Sequence, residues 1–474
     1  MPLSWFGIIE PMYSRHDFQS IFDKYEISAR LFVDLRYEQN TIVKYSFIKK
    51  QGASITKINE FISQKNGISS RVITPTTRVF SSTPYTLDIN AFISTLIKRA
   101  KATNQLFGVK QPLQLSKEKT ITGDFDFFGY RPEPEHAKII GNNILMIINE
   151  NLPSTSRLIL DVEFNEKYMI YTNTEGTLFS KREPVWMVSV KANINGKLVQ
   201  YRFGWVGKPI NFPKDAFMTW IERTRPTFEL PVMKMSSVPK PEEAVLTPEA
   251  AWSIVHEGIG HAVEADLVLH GKSYLAGKLG HKIISSNITI IDDPGVETAS
   301  NYQLDDEGVK ARGSLLIDEG ILAQYLSNRE TASELGMIST GNARTPSYEH
   351  DYYVRQSNLY IEPQDASEEE LLENFTGLLF SNSMKASTDT NTGEITIMFS
   401  HAIQFINGKM VSWIPRPILK GTINQILGDV LLIGKWVEPS AGYCMKNGSV
   451  VPVGSISPMI RSKITDVKIM EGIL

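Results

Sequence analysis

The chain predicts an α+β protein: a mixed α/β domain over residues 1–235, then a domain over residues 236–474 dominated by antiparallel sheet. Three observations carry this reading. The pairs Asn195-Gly196 and Asn407-Gly408 sit between strand-like runs, and that dipeptide suits the two-residue turns that join antiparallel strands. Strand-like runs also dominate the second half, with few helical ones among them. Between the halves lies Ser236-Ser237-Val238-Pro239-Lys240-Pro241-Glu242-Glu243, a polar stretch of linker character. A length of 474 residues suits two or three domains better than one.

In chain order, Ile27–Tyr37 and Thr41–Lys50 read as strands, with Glu38-Gln39-Asn40 as the turn between them. Asp88–Ala102 spaces its apolar residues by three and four and ends on basic residues, the pattern of an amphipathic helix that satisfies its dipole. Residues 109–137 are polar and proline-rich, as in a long loop. Leu158–Phe203 is β-rich, with turns at Thr174-Glu175-Gly176 and Asn195-Gly196. Past the linker, residues 247–268 read as a helix. Lys282–Asp292, Gly313–Leu326 (turning at Asp318-Glu319-Gly320) and Tyr352–Pro363 then read as β structure. Ser367 is placed to cap an acidic helix over Glu368–Phe380. Glu394–Pro415 predicts a hairpin about Asn407-Gly408, Gly421–Gly434 a helix, and Val450–Met470 short strands. No internal repeat, low-complexity tract or heptad is evident.

Composition excludes several classes. Hydrophobic residues make up 42% and charged residues 21%, ordinary for a globular chain, and a net charge of −3 gives no footprint for nucleic acid. No apolar run is long enough to span a bilayer, and Met1–Gly7 lacks the basic start and apolar core of a signal peptide. A cytoplasmic protein with no membrane or nucleic-acid partner is the expectation. Its one cysteine, Cys444, rules out an intrachain disulfide and fits a reducing compartment. The segment Gly442–Gly448 around it reads as lying between a helical run and a turn. No Gly-x-x-x-x-Gly-Lys-Ser/Thr loop, strand-linked Gly-x-Gly-x-x-Gly or Gly-x-Ser-x-Gly elbow occurs, which disfavours nucleotide chemistry and a serine nucleophile.

The chemistry concentrates in Ala250–Asp266, where His256 and Glu257 are followed by His261. Neutral imidazoles are common zinc ligands, and a glutamate beside a metal-activated water is the usual general base of metal-assisted hydrolysis. The familiar zinc-peptidase helix spaces its histidines at i and i+4; here the interval is i+5. In a regular helix that leaves the two rings roughly 140° apart, so both reach one ion only across a widened π-type turn or a kink. Gly258 and Gly260 ease such a distortion. Thr247 as N-cap, Pro248 at the first position and Glu249 in the first turn mark the start. A thiolate from Cys444 would complete a two-histidine, one-cysteine site with its fourth position open; His270 or His281 could stand in its place.

His256-Glu257-Gly258-Ile259-Gly260-His261 together with Gly442-Tyr443-Cys444 and Val451-Pro452-Val453-Gly454 resembles the TldD/PmbA family, also described as modulators of DNA gyrase. Leu304-Asp305-Asp306-Glu307-Gly308, Thr340-Gly341-Asn342-Ala343-Arg344 and Leu315–Leu322 are similar too, so the resemblance covers roughly residues 240–474. It implies a TldD-type metallopeptidase subunit with Cys444 as the distant third ligand. It also implies unfolded peptides as substrates, and a dimer with itself or with a PmbA/TldE-type paralogue that lacks the motif. One stretch departs from the family: Ser381-Asn382-Ser383-Met384-Lys385-Ala386-Ser387 stands where members carry a glycine-rich segment.

The expected mechanism is hydrolysis at a zinc ion held by His256, His261 and Cys444, with Glu257 as general base. Glu257 points ~100° around the helix from His256, a direction suited to reaching water without ligating the metal. Glu264 or Asp266 could orient an imidazole. Arg344 could bind a substrate carboxylate, or form a surface salt bridge. Asp305, Asp306 and Glu307 read as a solvated turn. The competing reading is a peptide-binding scaffold whose metal is structural, which a fourth protein ligand such as Asp266 or His281 would favour.

Overall fold

The computed structural model describes residues 11–25, 31–50, 55–84, 88–107, 115–126 and 133–472; Met1–Gly7, and parts of the predicted 27–37 strand and 109–137 loop, lie outside them. Its first half is organised on a seven-stranded sheet. Strands β1 (Phe32–Lys50), β2 (Ile55–Ile73), β3 (Arg78–Pro84), β4 (Thr122–Phe125), β5 (Arg157–Asn173), β6 (Leu178–Ile194) and β7 (Lys197–Val206) take the order β3-β2-β1-β5-β6-β4, with β7 also on β6. Every pairing in this sheet is antiparallel except β4 with β6. The β5–β6 and β6–β7 connections fall at the predicted turns, where Gly176, Asn195 and Gly196 adopt positive φ. The predicted turn at Glu38-Gln39-Asn40 does not exist. These residues run straight through β1, with Gln39 opposite both Asn66 and Tyr168. Burial of Glu38 is tolerated because Arg36 lies 3.0 Å and Lys167 3.6 Å from its carboxylate.

Helix α1 (Ile89–Phe107) covers β2 and β3, and α2 (Pro134–Asn151) lies over β1 and β5. Thus the 109–137 region, read as loop, contains β4 and the start of α2. Helix α3 (Lys214–Thr224) stacks Phe217 and Trp220 on Tyr201 of β7.

The second half is mostly antiparallel sheet, as predicted. A six-stranded sheet runs Lys409–Pro415, His401–Ile406, Gly377–Phe380, β8 (Glu243–Leu246), Pro458–Lys463 and Asp429–Val437, with only the β8 pairing to Gly377–Phe380 parallel. A four-stranded sheet runs Ser383–Asp389, Glu394–Phe399, Pro417–Thr422 and Lys468–Glu471, antiparallel throughout, with Ser383–Asp389 at one edge. Three predicted elements divide. Only His401–Pro415 forms the hairpin about Asn407-Gly408, while Glu394–Phe399 joins the other sheet. The helix capped by Ser367 ends at Leu372 and gives way to the strand Gly377–Phe380. The Gly421–Gly434 helix is confined to Ile423–Leu427, and Asp429 opens a strand. Of Lys282–Asp292, only Ile290–Asp292 is strand.

Helix α4 (Pro248–Val255) is buried along its whole length, against the strands Pro458–Lys463, Ser383–Asp389 and Ser440–Lys446 among others. A second apolar cluster joins α2, β5 and β7 to Phe405 and Trp413 of the six-stranded sheet, so the core is continuous across position 236. Polar groups bridge the same junction. Asp305, Asp306 and Glu307, expected in a solvated turn, are each at most 3% exposed. Asp306 receives Lys167 at 2.6 Å and Lys181 at 2.7 Å, and Glu307 receives Arg71 at 2.6 Å. Basic residues projecting from β2, β5 and β6 neutralise the turn and make its burial possible. Among the described residues no helix is long and apolar enough to cross a membrane.

Candidate metal centre

Helix α4 begins as predicted, with Thr247 in extended conformation and Pro248 at the first position, although the Thr247 hydroxyl makes no capping bond. At His256 the regular helix gives way to a π-turn over His256–Gly260, closed by His261 N donating to His256 O at 3.3 Å. The helix predicted over 247–268 is therefore interrupted, resuming as α5 (Ala265–Leu269) after an extended Glu264. The wide turn removes the angular mismatch of the i+5 spacing: the two imidazole centroids lie 5.0 Å apart. Gly260 is needed for a reason that spacing alone does not show. A Cβ there would lie 1.9 Å from Gln356 Oε1, and Gln356 Nε2 donates to His256 O across that gap at 3.3 Å. Neither Gly258 nor Gly260 has a positive φ. At Gly260 it is close approach that excludes a side chain.

Cys444 arrives from a different element than expected. It sits in the middle of the strand Ser440–Lys446, paired with Ser449–Ser455, and faces Val451. Strand alternation turns Cys444 inward and its neighbours Tyr443 and Met445 outward. Cys444 Sγ lies 3.2 Å from His256 Nε2 and 3.3 Å from His261 Nε2, and the three donor atoms fall within 4.8 Å of one another. The edge between nitrogen and sulfur in a tetrahedral zinc site is about 3.5 Å, from bonds of about 2.0–2.1 Å to nitrogen and 2.3 Å to sulfur. The donor set and its spacing therefore fit such an ion.

Electrostatics favour the thiolate of Cys444 and pair it with a protonated His261. Burial would raise the Cys444 thiol, but the facing imidazoles of His261 and His256 hold it well below its ordinary value. Burial would likewise lower His261, yet Cys444 and Glu264 hold it well above the usual imidazole value. A metal bound between them would take the place of the proton that this thiolate–imidazolium pair shares. On its far side, His261 Nδ1 lies 3.2 Å from Glu264 Oε2. Despite complete burial, the Glu264 carboxyl is lowered to about 2, chiefly by Lys446 and then by His261. Lys446 also holds Asp266 at 2.7 Å. Of the two predicted orienting carboxylates, only Glu264 touches a histidine; Asp266 acts on Lys446.

The centre opens on a cavity of about 560 Å³. Glu257, half-buried, lines it together with Trp252, the edge strand from Ser383 to Thr388, and Gly442–Asn447. Other candidates lie elsewhere. His270 and His281 are exposed and bond to the nearby carbonyls of Asp266 and Leu279. Arg344 donates to the carbonyls of Gln356 and Pro452, so it braces the Cys444 hairpin. Sequence reasoning missed Lys446 and Gln356. Lys446 follows Cys444 by two residues and so shares its face of the strand, a signal that becomes readable once that segment is seen as β.

Residues 240–468 match the family described as PmbA/TldA metallopeptidase C-terminal domain. A protein named metalloprotease from Methanothermobacter thermautotrophicus is 32% identical over 335 residues, covering 70% of this chain and 73% of that one. A protein named zinc metalloprotease TldD homolog from Saccharolobus solfataricus is also 32% identical, over 48% of this chain and 52% of its own length. The crystal structure of TldE from Thermococcus kodakarensis superposes with a TM-score of 0.70 at 16% identity, over 96% of this chain and 99% of that one, which shows a shared fold.

Proposed function

The chain belongs to the PmbA/TldD family, and from that premise we propose that it is a zinc-dependent peptidase acting on unfolded or extended peptides. The observation that carries this reading is the convergence of His256, His261 and Cys444, drawn from a helix turn and a distant strand, on one point beside Glu257. Among the described residues the group has three members. Three protein donors leave one position for substrate or water, the arrangement of catalytic rather than structural zinc, and this weighs against the scaffold reading.

His256 Nε2, His261 Nε2 and Cys444 Sγ would hold the ion. Bound there, zinc supplies Lewis acidity, polarising the scissile carbonyl and making water acidic near neutral pH. Glu257 takes the proton of the attacking water on its carboxylate and delivers it to the leaving amine nitrogen. Glu264, itself fixed by Lys446, directs the Nδ1–H of His261 so that Nε2 faces the ion.

The strand Ser383–Asp389 pairs on one side with Glu394–Phe399 and stands at the edge of its sheet. Its residues Ser383–Thr388 line the cavity. The Ser383 N–H is taken by Glu249 and its carbonyl by Gln200 and Arg202. Beyond Ser383, the unpaired side of the strand would offer main-chain donors and acceptors to an extended peptide with little regard for side-chain identity. Extended segments free to add to an edge are commonest in unfolded chains, which suits an unfolded substrate. The fold shared with a protein named TldE suits a paralogue as partner, and the family resemblance implies a dimer, either with such a motif-less paralogue or with a second copy. A lone thiol ligand functions where thiols stay reduced, so we place the protein in the cytoplasm.

The test is cleavage of an unfolded peptide by wild type and by Glu257→Gln, with metal content measured in both. Retained metal with lost turnover is expected. Metal loss in the variant would make Glu257 a ligand; equal turnover would remove it from the mechanism. If neither protein cleaves and a motif-less paralogue restores nothing, the scaffold reading takes over.

A further inference from the structure

A second cavity, of about 520 Å³, lies at the opposite end of α4 from the metal donors. Its walls include Tyr201, Trp220, Leu379, Ile403 and Phe405, so it is largely apolar and aromatic. Cavities of this size and character take one or two apolar groups.

Two segments run unbroken from this cavity into the metal cleft. Ser381-Asn382 line the apolar cavity, and the next residues, Ser383–Thr388, line the metal cleft. Ser440 lines the cavity, and Gly442–Asn447 on the same hairpin line the cleft. Helix α4 spans the same distance, with Thr247, Pro248 and Glu249 at the cavity and His256 and Glu257 at the metal end. Seven residues of helix cover about 10 Å, the length of about three residues of extended peptide. Glu249 forms the sill between the two spaces, its carboxylate held by the Ser383 backbone N–H and hydroxyl. At the cavity, whose lining also includes Arg223, Glu368, His401 and Glu438, Thr247 Oγ1 is buried and has no hydrogen-bond partner, a polar contact left open.

Direction follows from the sheet. Every pairing in the sheet that ends in Ser383–Asp389 is antiparallel, and a peptide added to that edge continues the pattern with straight hydrogen bonds. The edge strand runs from the cavity toward the metal. An antiparallel peptide therefore runs from the metal toward the cavity, carrying there the residues that follow its scissile bond. We propose that the apolar cavity at the start of α4 is a specificity subsite for an apolar side chain about three residues C-terminal to the cleaved bond. The proposal rests on the peptidase reading above.

The test uses unfolded peptides of serine, glycine and lysine in which a single leucine is walked along the chain, with cut sites read by mass spectrometry. Bonds about three residues N-terminal to the leucine are expected to be cut roughly ten- to a hundredfold faster than the same bonds with glutamate at that place. Leu230→Trp, which fills the cavity from a half-buried wall position, is expected to erase that ratio while leucine-free peptides are cut as before. Cutting that ignores the leucine, or that prefers it N-terminal to the bond, overturns the proposal, and the wild-type series decides this even if the variant misfolds. If no peptide is cut, even with a motif-less paralogue added, the peptidase reading fails separately. Binding of a labelled leucine peptide to Glu257→Gln then judges the subsite: weaker binding of the glutamate counterpart supports it, and equal binding overturns it.

Discussion

The Lys446 ammonium lies 2.9 Å from Glu264 Oε2, two residues beyond Cys444 on the same strand face. One strand therefore supplies both a proposed metal donor and the cation that fixes the partner of another proposed donor. Glu264 is completely buried, and without Lys446 its charge would be left to His261 and the more weakly acting Arg355. Glu264→Gln and Lys446→Met are each expected to weaken zinc binding about 10- to 100-fold, since partners that orient a ligand matter on that scale. Competition with a chromogenic chelator measures it, and unchanged affinity in both variants would strip the pair of its orienting role.

Gly260 and Gln356 form a second coupled pair. Gly260→Ala drives a methyl group into the Gln356 amide, which is itself 1% exposed and has little room to move. Overpacking of this kind costs about 1–3 kcal/mol. Adding Gln356→Ser opens the space, so the double variant is expected to regain much of the stability lost by the single one. A double-mutant cycle from urea melts reads the coupling directly. Additive losses would mean that Gly260 is required by backbone conformation instead.

How far the sequence reveals this arrangement differs from residue to residue. The π-turn is readable because an i+5 pair of histidines can share an ion only if the helix widens, and capping residues mark where that helix starts. The setting of Cys444 is not readable so locally. Gly421–Gly434 has helical apolar spacing, but its helix lasts only for Ile423–Leu427, and the following β structure carries Cys444. Glu38-Gln39-Asn40 and Asp305-Asp306-Glu307 look like solvated turns because turn residues and buried ionic residues are the same residue types. What separates them is a partner, and Lys167 stands 139 residues from Asp306 in the chain. Such pairings are tertiary facts that no local window contains.

Asp306 tests that account of buried charge. Its carboxyl is fully buried, yet Lys167 and Lys181 hold it well below the usual carboxylate range. Asp306→Asn leaves both ammonium groups in place without their shared anion. The expected loss is about 3 kcal/mol, the lower part of the range for breaking a buried pair, because Glu183 still lies 2.7 Å from Lys181. Urea unfolding measures it, and a change under about 0.5 kcal/mol would match a solvated turn instead.

His401 sets an acid limit on stability that owes nothing to the metal. Its ring is buried and stacks on Trp413 at 3.8 Å, with Nδ1 bonded to the Ser400 hydroxyl. Burial lowers its pKa to about 3 from an ordinary 6.5, so the folded protein keeps it neutral while the unfolded chain protonates it. Between those two values the unfolded state binds the extra proton. The stabilisation is therefore complete above pH ~6.5 and lost progressively as pH falls toward ~3, to a total of a few kcal/mol. His401→Phe keeps an aromatic ring against Trp413 and removes the titration, for about 1 kcal/mol of lost hydrogen bonding at neutral pH. With chelator present in both samples, so that metal release does not contribute, stability against pH should fall more steeply for wild type than for the variant below pH ~6. Parallel curves would mean that His401 takes up its proton without unfolding, and the stack on Trp413 would then have to accommodate a cation.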